Sequence, residues 1–241
     1  PPPDREQELD FHEIETALYQ DFDLDAVSDL VGSDSQGSIW FFAGVLEGGF
    51  RPGARIAKID IGIGPGSLDP LDIDHDGDLD LYVTRSQAAD LYLQNNGDGS
   101  WSDQTRELGL DQQVSGSTGV VSADFDDDGV LDVVTSSADS SPRLYINRRS
   151  GPLLESGAVW GLDKLLDPTF GVRTADFNQD GLFDLLLWTE DGGEIYLNEG
   201  DRFSQAPEAD LPAGHFEDVA IGDFDNDGDQ DAVIAVSESK Q

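Results

Sequence analysis

Short apolar runs alternate with polar turns along almost the whole chain, and helical periodicity is scarce. The runs are rich in Val, Ile, Leu and aromatic residues and are punctuated by Gly, Asn and Asp, so they read as strands. They recur in a fixed order. "LVG", "LYVT", "VVTS", "LLLW" and "AVIAV" each follow a cluster of aspartates. About a dozen residues beyond the last Asp of a cluster comes a second kind of run ("SIWFFA", "DLYLQN", "RLYIN", "EIYLN"), marked by Trp40, Tyr92, Tyr145 and Tyr196. A turn follows, then Phe50, Trp101, Leu153 or Phe203. Each unit reads strand, acidic loop, strand, short loop, strand, turn, strand. "TRELGL" is too short to count as a helix.

The acidic clusters are "DFDLDAVSD", "DIDHDGDLD", "DFDDDGVLD", "DFNQDGLFD" and "DFDNDGDQD", starting at residues 21, 72, 124, 176 and 223. The steps between starts are 51, 52, 52 and 47 residues. A lone four-stranded sheet cannot bury both faces, so neighbouring units must cover it. Four antiparallel strands per unit of this length predict an all-β fold, a β-propeller of four-stranded blades. A stacked solenoid usually has shorter units without this four-strand order. The expected units are residues 12–62, 63–115, 116–167 and 168–214, with a truncated fifth at 215–241 and an N-terminal extension at 1–11. The fifth has two strands ("HFEDVAIGD", "DAVIAV") before Gln241. Residues 1–11 can supply at most one short strand, because three prolines remove ladder donors. Further blades, or a second chain, would complete the ring.

Within each cluster the pattern is D-x-D/N-x-D-G-x-x-D. Carboxylates at positions 1, 3, 5 and 9 can converge if the loop wraps around a point, and without a cation their repulsion would cost several kcal/mol. All-oxygen donors on a flexible loop suit Ca2+, which takes six to eight oxygens; Mg2+ prefers strict octahedral geometry, and zinc would want His or Cys in register. Glycine at position 6 (Gly77, Gly129, Gly181, Gly228) permits the left-handed turn that closes such a loop. Position 7 is expected to contribute its backbone carbonyl, so Asp76→Ala should be more harmful than Asp78→Ala. An EF-hand needs Glu at position 12 between helices, whereas Val83, Thr135, Leu187 and Ile234 stand there between strands. Four close copies at a fixed period make bare solvated turns the poorer explanation. The first loop (Asp21, Asp23, Asp25, Asp29) has Ala26 in place of glycine and is expected to be strained and weakly occupied.

The stretch "DIDHDGDLDLYVTRSQAADLYLQNNGDGSWSDQTRELGL" resembles an FG-GAP/VCBS-type repeat, as found in integrin α-subunit heads and in proteins similar to cartilage acidic protein and UnbV; the likeness covers residues 12–236. It implies a propeller, often seven-bladed, with calcium between the first two strands of a blade. Four to five ions would be held by Asp21, Asp23, Asp25 and Asp29; by Asp72, Asp74, Asp76 and Asp80; by Asp124, Asp126, Asp128 and Asp132; by Asp176, Asn178, Asp180 and Asp184; and by Asp223, Asp225, Asp227 and Asp231. The Phe-Gly element survives only at Phe170 and Gly171, so integrin-style ligand binding does not transfer.

Composition narrows the function classes. The chain has 241 residues and is 37% hydrophobic, enough for a sizeable core. Its net charge of −38, from 51 acidic against 13 basic residues, excludes nucleic acid and anionic membrane surfaces as partners and favours cations, or a high-salt habitat. No run is long enough to insert in a membrane, and the absence of Cys rules out a disulfide framework. "PPPDREQE" lacks a signal peptide's apolar core, and the chain, which has no Met, reads as a mature or excised piece of something longer. Loops of this affinity class fill where calcium is near millimolar, which points to an extracellular, cell-surface or periplasmic location. His12, His75 and His215 show no pairing with a nucleophile, and "GIGPG" at 62–66 reads as an inter-blade turn rather than a phosphate loop. Trp40, Trp101, Trp160 and Trp188 are read as core packing, with sugar stacking as the rival use. The expected function is a non-catalytic, calcium-stabilised scaffold for a protein or glycan partner. The alternative is a carbohydrate-active enzyme or lectin on the same propeller.

Overall fold

A computed structural model describes residues 14–58, 65–112, 116–164, 168–207 and 211–237. Among the described residues, eighteen strands form five antiparallel sheets in strict sequence order. The first holds β1 (Ile14–Gln20), β2 (Asp29–Asp34), β3 (Ser38–Phe42) and β4 (Ala54–Lys58); the second β5 (Pro65–Leu71), β6 (Asp80–Arg85), β7 (Leu91–Asn95) and β8 (Trp101–Asp103). The third holds β9 (Ser117–Ala123), β10 (Asp132–Ser137), β11 (Arg143–Ile146) and β12 (Leu154–Glu155); the fourth β13 (Gly171–Ala175), β14 (Asp184–Trp188), β15 (Gly193–Asn198) and β16 (Phe203–Gln205). The fifth is the hairpin of β17 (His215–Gly222) and β18 (Asp231–Ser237). Helix is limited, among the described residues, to single 3-10 turns at Leu110–Gln112 and Leu162–Lys164. None is long and apolar enough to cross a membrane.

Successive sheets cover one another, as the strand content requires. Val31 and Ile39 of the first sheet meet Leu68, Leu81 and Val83 of the second. Leu71, Tyr82 and Tyr92 then meet Val120, Val133 and Tyr145 of the third. Val121, Val134 and Leu144 meet Val172, Leu185 and Tyr196 of the fourth, and Leu186 and Trp188 meet Phe216 and Val219 of the hairpin. A strand covered on both faces has no polar side to present, which is why β10 and β14 are buried at every residue. In the hairpin, β18 lacks a cover among the described residues, so Val233 and Val236 stay exposed.

The first strands of successive sheets face one another. There Ser122 on β9 donates through Oγ to Asp69 Oδ2 on β5 at 3.0 Å. Burial pushes the Asp69 carboxyl up to about 6, against the Ser122 hydrogen bond and the Arg173 charge, which pull it down. Arg173 on β13 lies over the Trp188 ring and pairs with Asp218 on β17 at 2.9 Å. The "GIGPG" run falls partly outside the described residues; Pro65 and Gly66, expected in a turn, already belong to β5.

Candidate metal centres in the acidic loops

All five acidic clusters lie between the first and second strands of a sheet, and position 9 is the first residue of the second strand. The loops share one backbone. Position 4 is left-handed in each, at Leu24, His75, Asp127, Gln179 and Asn226, with φ between 55° and 61°. Position 6 is also left-handed, at Gly77, Gly129, Gly181 and Gly228, and at Ala26 with φ 67°. The strain expected at Ala26 is therefore present: a side chain sits where the other four loops have none.

The carboxylates tie this loop together from within. At position 1, Oδ2 accepts the position 6 N–H: Ala26 to Asp21 at 3.0 Å, Gly77 to Asp72 at 3.1 Å, Gly129 to Asp124 at 2.8 Å, Gly181 to Asp176 at 2.9 Å and Gly228 to Asp223 at 3.1 Å. At position 5, Oδ1 accepts the N–H of position 7, two residues on, for Asp25, Asp76, Asp128, Asp180 and Asp227. Position 9 reaches furthest. Its Oδ1 accepts a backbone N–H from the third strand or just beyond it: Gly44 to Asp29, Asn95 to Asp80, Asn147 to Asp132 and Asn198 to Asp184, all at 2.8 Å. Its Oδ2 accepts the position 2 N–H in four loops, from Phe22, Phe125, Phe177 and Phe224. In the second loop the Tyr92 hydroxyl takes Asp80 Oδ2 instead.

Three carboxylates converge in four of the five loops. One oxygen each from positions 1, 3 and 9 lies within 4.8 Å of the others in the first (Asp21, Asp23, Asp29), second (Asp72, Asp74, Asp80), third (Asp124, Asp126, Asp132) and fifth (Asp223, Asp225, Asp231) loops. The fourth has Asp176 and Asp184 with Asn178 at position 3, an oxygen without the charge. Position 5 does not join this group; its carboxylate serves the turn toward position 7.

At 4.8 Å, two like charges repel by roughly 1 to 4 kcal/mol between water-like and protein-surface screening. The groups respond as uncompensated acids would. Burial first, then neighbouring carboxylates, raise Asp23, Asp74 and Asp126. Burial drives Asp80 and Asp132 up to about 7 and raises Asp184. Asp72 Oδ1 and Asp126 Oδ1 are buried and have no hydrogen-bond partner. Buried acceptors are ordinarily satisfied, so these oxygens lack something that a cation would supply. Hard oxygen donors, three charges and left-handed turns that fold the loop back on itself fit calcium.

Other sequence candidates fall elsewhere. His12 lies outside the described residues, His75 is exposed on its loop, and His215 begins β17 edge-on to Phe170. Trp40, Trp160 and Trp188 are buried, as the packing reading expects. Trp101 is half-buried at a cleft of about 330 Å³ beside the first loop, shared with Phe22, Asp23, Phe41, Asn95 and Asp98. The sequence reading missed the asparagines at 95, 147 and 198. Their signal was a constant offset of 14 or 15 residues after the position 9 aspartate.

Fold and loops together define a β-propeller type of repeat protein with an acidic loop at the same place in every blade. The profile of the FG-GAP-like repeat matches residues 21–83, 72–135, 124–187 and 176–234, and the chain belongs to that family. Cartilage acidic protein 1 of Xenopus tropicalis is 25% identical over 173 residues, covering 66% of this chain and 27% of that protein. The Homo sapiens protein of the same name is 24% identical over 180 residues, covering 66% and 26%. The chain thus spans about a quarter of the length of these relatives. Among solved structures, BBS1N from its complex with ARL6DN aligns over 80% of this chain and 57% of its own, with a TM-score of 0.50 and 10% identity, a likeness of fold alone.

Proposed function

We propose that the acidic loops bind calcium and that the ions stiffen a non-catalytic, extracellular scaffold for a protein or glycan partner. The observation that carries this reading is the convergence of positions 1, 3 and 9 in four loops, with Asp72 Oδ1 and Asp126 Oδ1 buried there without an internal partner. Asp21, Asp23, Asp29 and their counterparts would hold the ion, with Asn178 contributing an oxygen in the fourth loop. Position 5 adds a donor only through the carboxylate oxygen its turn leaves over. Calcium would neutralise the repulsion and tie strand to loop, so its binding free energy becomes folding free energy. An extracellular setting supplies the near-millimolar calcium that such loops require, and the relatives are named for cartilage, an extracellular tissue. The family and the propeller fold support an interaction role.

Chelation tests this. A site at one hundred times its Kd adds about 2.7 kcal/mol, and each kcal/mol moves the melting temperature of a chain this size by about 2–4 °C. With three or more ions bound, removing calcium should lower the melting temperature by more than ~10 °C, and calcium but not equimolar magnesium should restore it. An unchanged melt would remove the structural ion. A partner retained in chelator would separate the ions from the interaction.

A further inference from the structure

The loops are wired to one another through side-chain amides. Asn95 donates through Nδ2 to the carbonyl of Phe22, position 2 of the preceding unit's loop, at 2.8 Å. Asn147 does the same to Ile73 at 2.8 Å, and Asn198 to Phe125 at 2.9 Å. Each of these asparagines also gives its backbone N–H to the position 9 aspartate of its own unit. Where the position 2 N–H is held by its own position 9 aspartate, the bonds form an unbroken chain between two candidate metal ligands. Asp132 Oδ2 holds the Phe125 N–H, the Phe125 carbonyl holds Asn198, and Asn198 holds Asp184. The same chain runs from Asp29 through Phe22 and Asn95 to Asp80. Between the second and third loops it is cut, because Asp80 Oδ2 takes the Tyr92 hydroxyl and not the Ile73 N–H. All three asparagines are buried, so water does not compete for these bonds.

We propose that Asn95 and Asn198 are positioning residues that couple calcium occupancy between adjacent loops, so that the first and second loops fill as one pair and the third and fourth as another. The proposal rests on the calcium reading above and adds its regulation. An ion at Asp132 fixes the Phe125 peptide; a fixed Phe125 carbonyl fixes Asn198; and Asn198 then holds Asp184 in place before the second ion arrives. The ordering cost of the second loop is lowered by the first ion, which is positive cooperativity without a change of fold. By linkage the effect is mutual. The second and third loops, lacking a continuous path, fill independently.

Glycine amides give a site-by-site readout, since Gly129 and Gly181 each donate to the position 1 aspartate of their own loop. Calcium titrations followed by 1H–15N spectra would be run on the whole chain in six forms: unaltered, Asn198→Ala and Asn147→Ala, each with and without Asp126→Asn. Asp126→Asn acts directly on the third loop alone, removing the charge of a carboxylate whose Oδ1 has no internal partner. The expected result is a shift of the Gly181 midpoint to about fivefold higher calcium when Asp126→Asn is made in the unaltered chain. The same change should have no effect on Gly181 when Asn198→Ala is already present. Asn147→Ala, at the cut seam, should leave the Gly129–Gly181 coupling intact, which separates coupling from a merely structural loss. An equal Gly181 shift in the unaltered and Asn198→Ala backgrounds, or none in either, overturns the coupling while leaving calcium binding intact. Glycine amides indifferent to calcium overturn the calcium reading and this proposal with it.

Discussion

Ala26 and Gly77 occupy the same place in two loops of the same backbone, and they allow a reciprocal test. Ala26 sits at φ 67° and Gly77 at φ 96°, each donating its N–H to the position 1 aspartate. An added Cβ at Gly77 would meet nothing within 4 Å, so contact plays no part and only the backbone conformation is tested. An L-residue held left-handed costs about 1–2 kcal/mol. Glycine forfeits about 0.4–1 kcal/mol of that through the greater freedom of its unfolded chain. Ala26→Gly should therefore gain about 0.5–1 kcal/mol and Gly77→Ala should lose a similar amount. Those values correspond to a rise of about 1–4 °C for the first and an equal fall for the second. The measurement is thermal unfolding by circular dichroism in calcium-free buffer, where ion binding cannot mask a difference this small. Shifts of the same sign, or a destabilised Ala26→Gly, would refute the claim that the two loops share a left-handed turn at position 6.

Two further substitutions follow from buried carboxyls outside the converging trios. Asp69 titrates near 6 in the folded chain against an ordinary 3.8, so the folded state holds its proton more tightly. The stability this confers is full below pH about 4 and is lost as pH rises through about 6. Asp69→Asn should consequently stabilise the protein at pH 7.5 by on the order of 2 kcal/mol in urea unfolding and confer nothing below pH about 4; a benefit independent of pH would contradict it. Asp78 is the second: burial and then Asp76 push its carboxyl up, and its Oδ1 has no partner. Three of the other loops place Val27, Val130 and Leu182 there, and the fifth has Asp229, which is exposed. Asp78→Val should gain about 1–2 kcal/mol, and a loss in calcium-free buffer would mean that the carboxylate has a role of its own.

The strand order and the position of the loops were readable because both depend on local pattern. An apolar run after each cluster, and an aromatic about a dozen residues on, suffice to order four strands, and the sheets follow that order throughout. The four-strand content of a unit also implied that successive sheets pack on one another, as the first to the fifth do. What lay beyond reach depends on three-dimensional wiring. Four carboxylates at positions 1, 3, 5 and 9 look equivalent in sequence, yet position 5 is engaged by the position 7 N–H and position 9 is buried in four of the five loops. The left-handed position 4 carries five different residues, from Leu24 to Asn226, so no single residue type marked it. Asp78 was read for its backbone carbonyl alone, and the burial of its side chain comes from its surroundings, where Gly97 would bring a Cβ to 3.0 Å of its Oδ2. The asparagines were visible at constant spacing, but the carbonyls they reach lie 73 or 74 residues away in sequence.

That separation has a bearing on how such a chain can grow. Every amide clasp spans one blade and part of the next, by nearly the same count each time. Tandem duplication of a whole blade would re-create each clasp at the new seam, whereas an insertion of half a blade would leave a buried carbonyl and a buried amide without each other. Lengthening by complete copies is thereby tolerated and lengthening by fragments is penalised, so the chain's own hydrogen bonds act as a proofreader of its blade number.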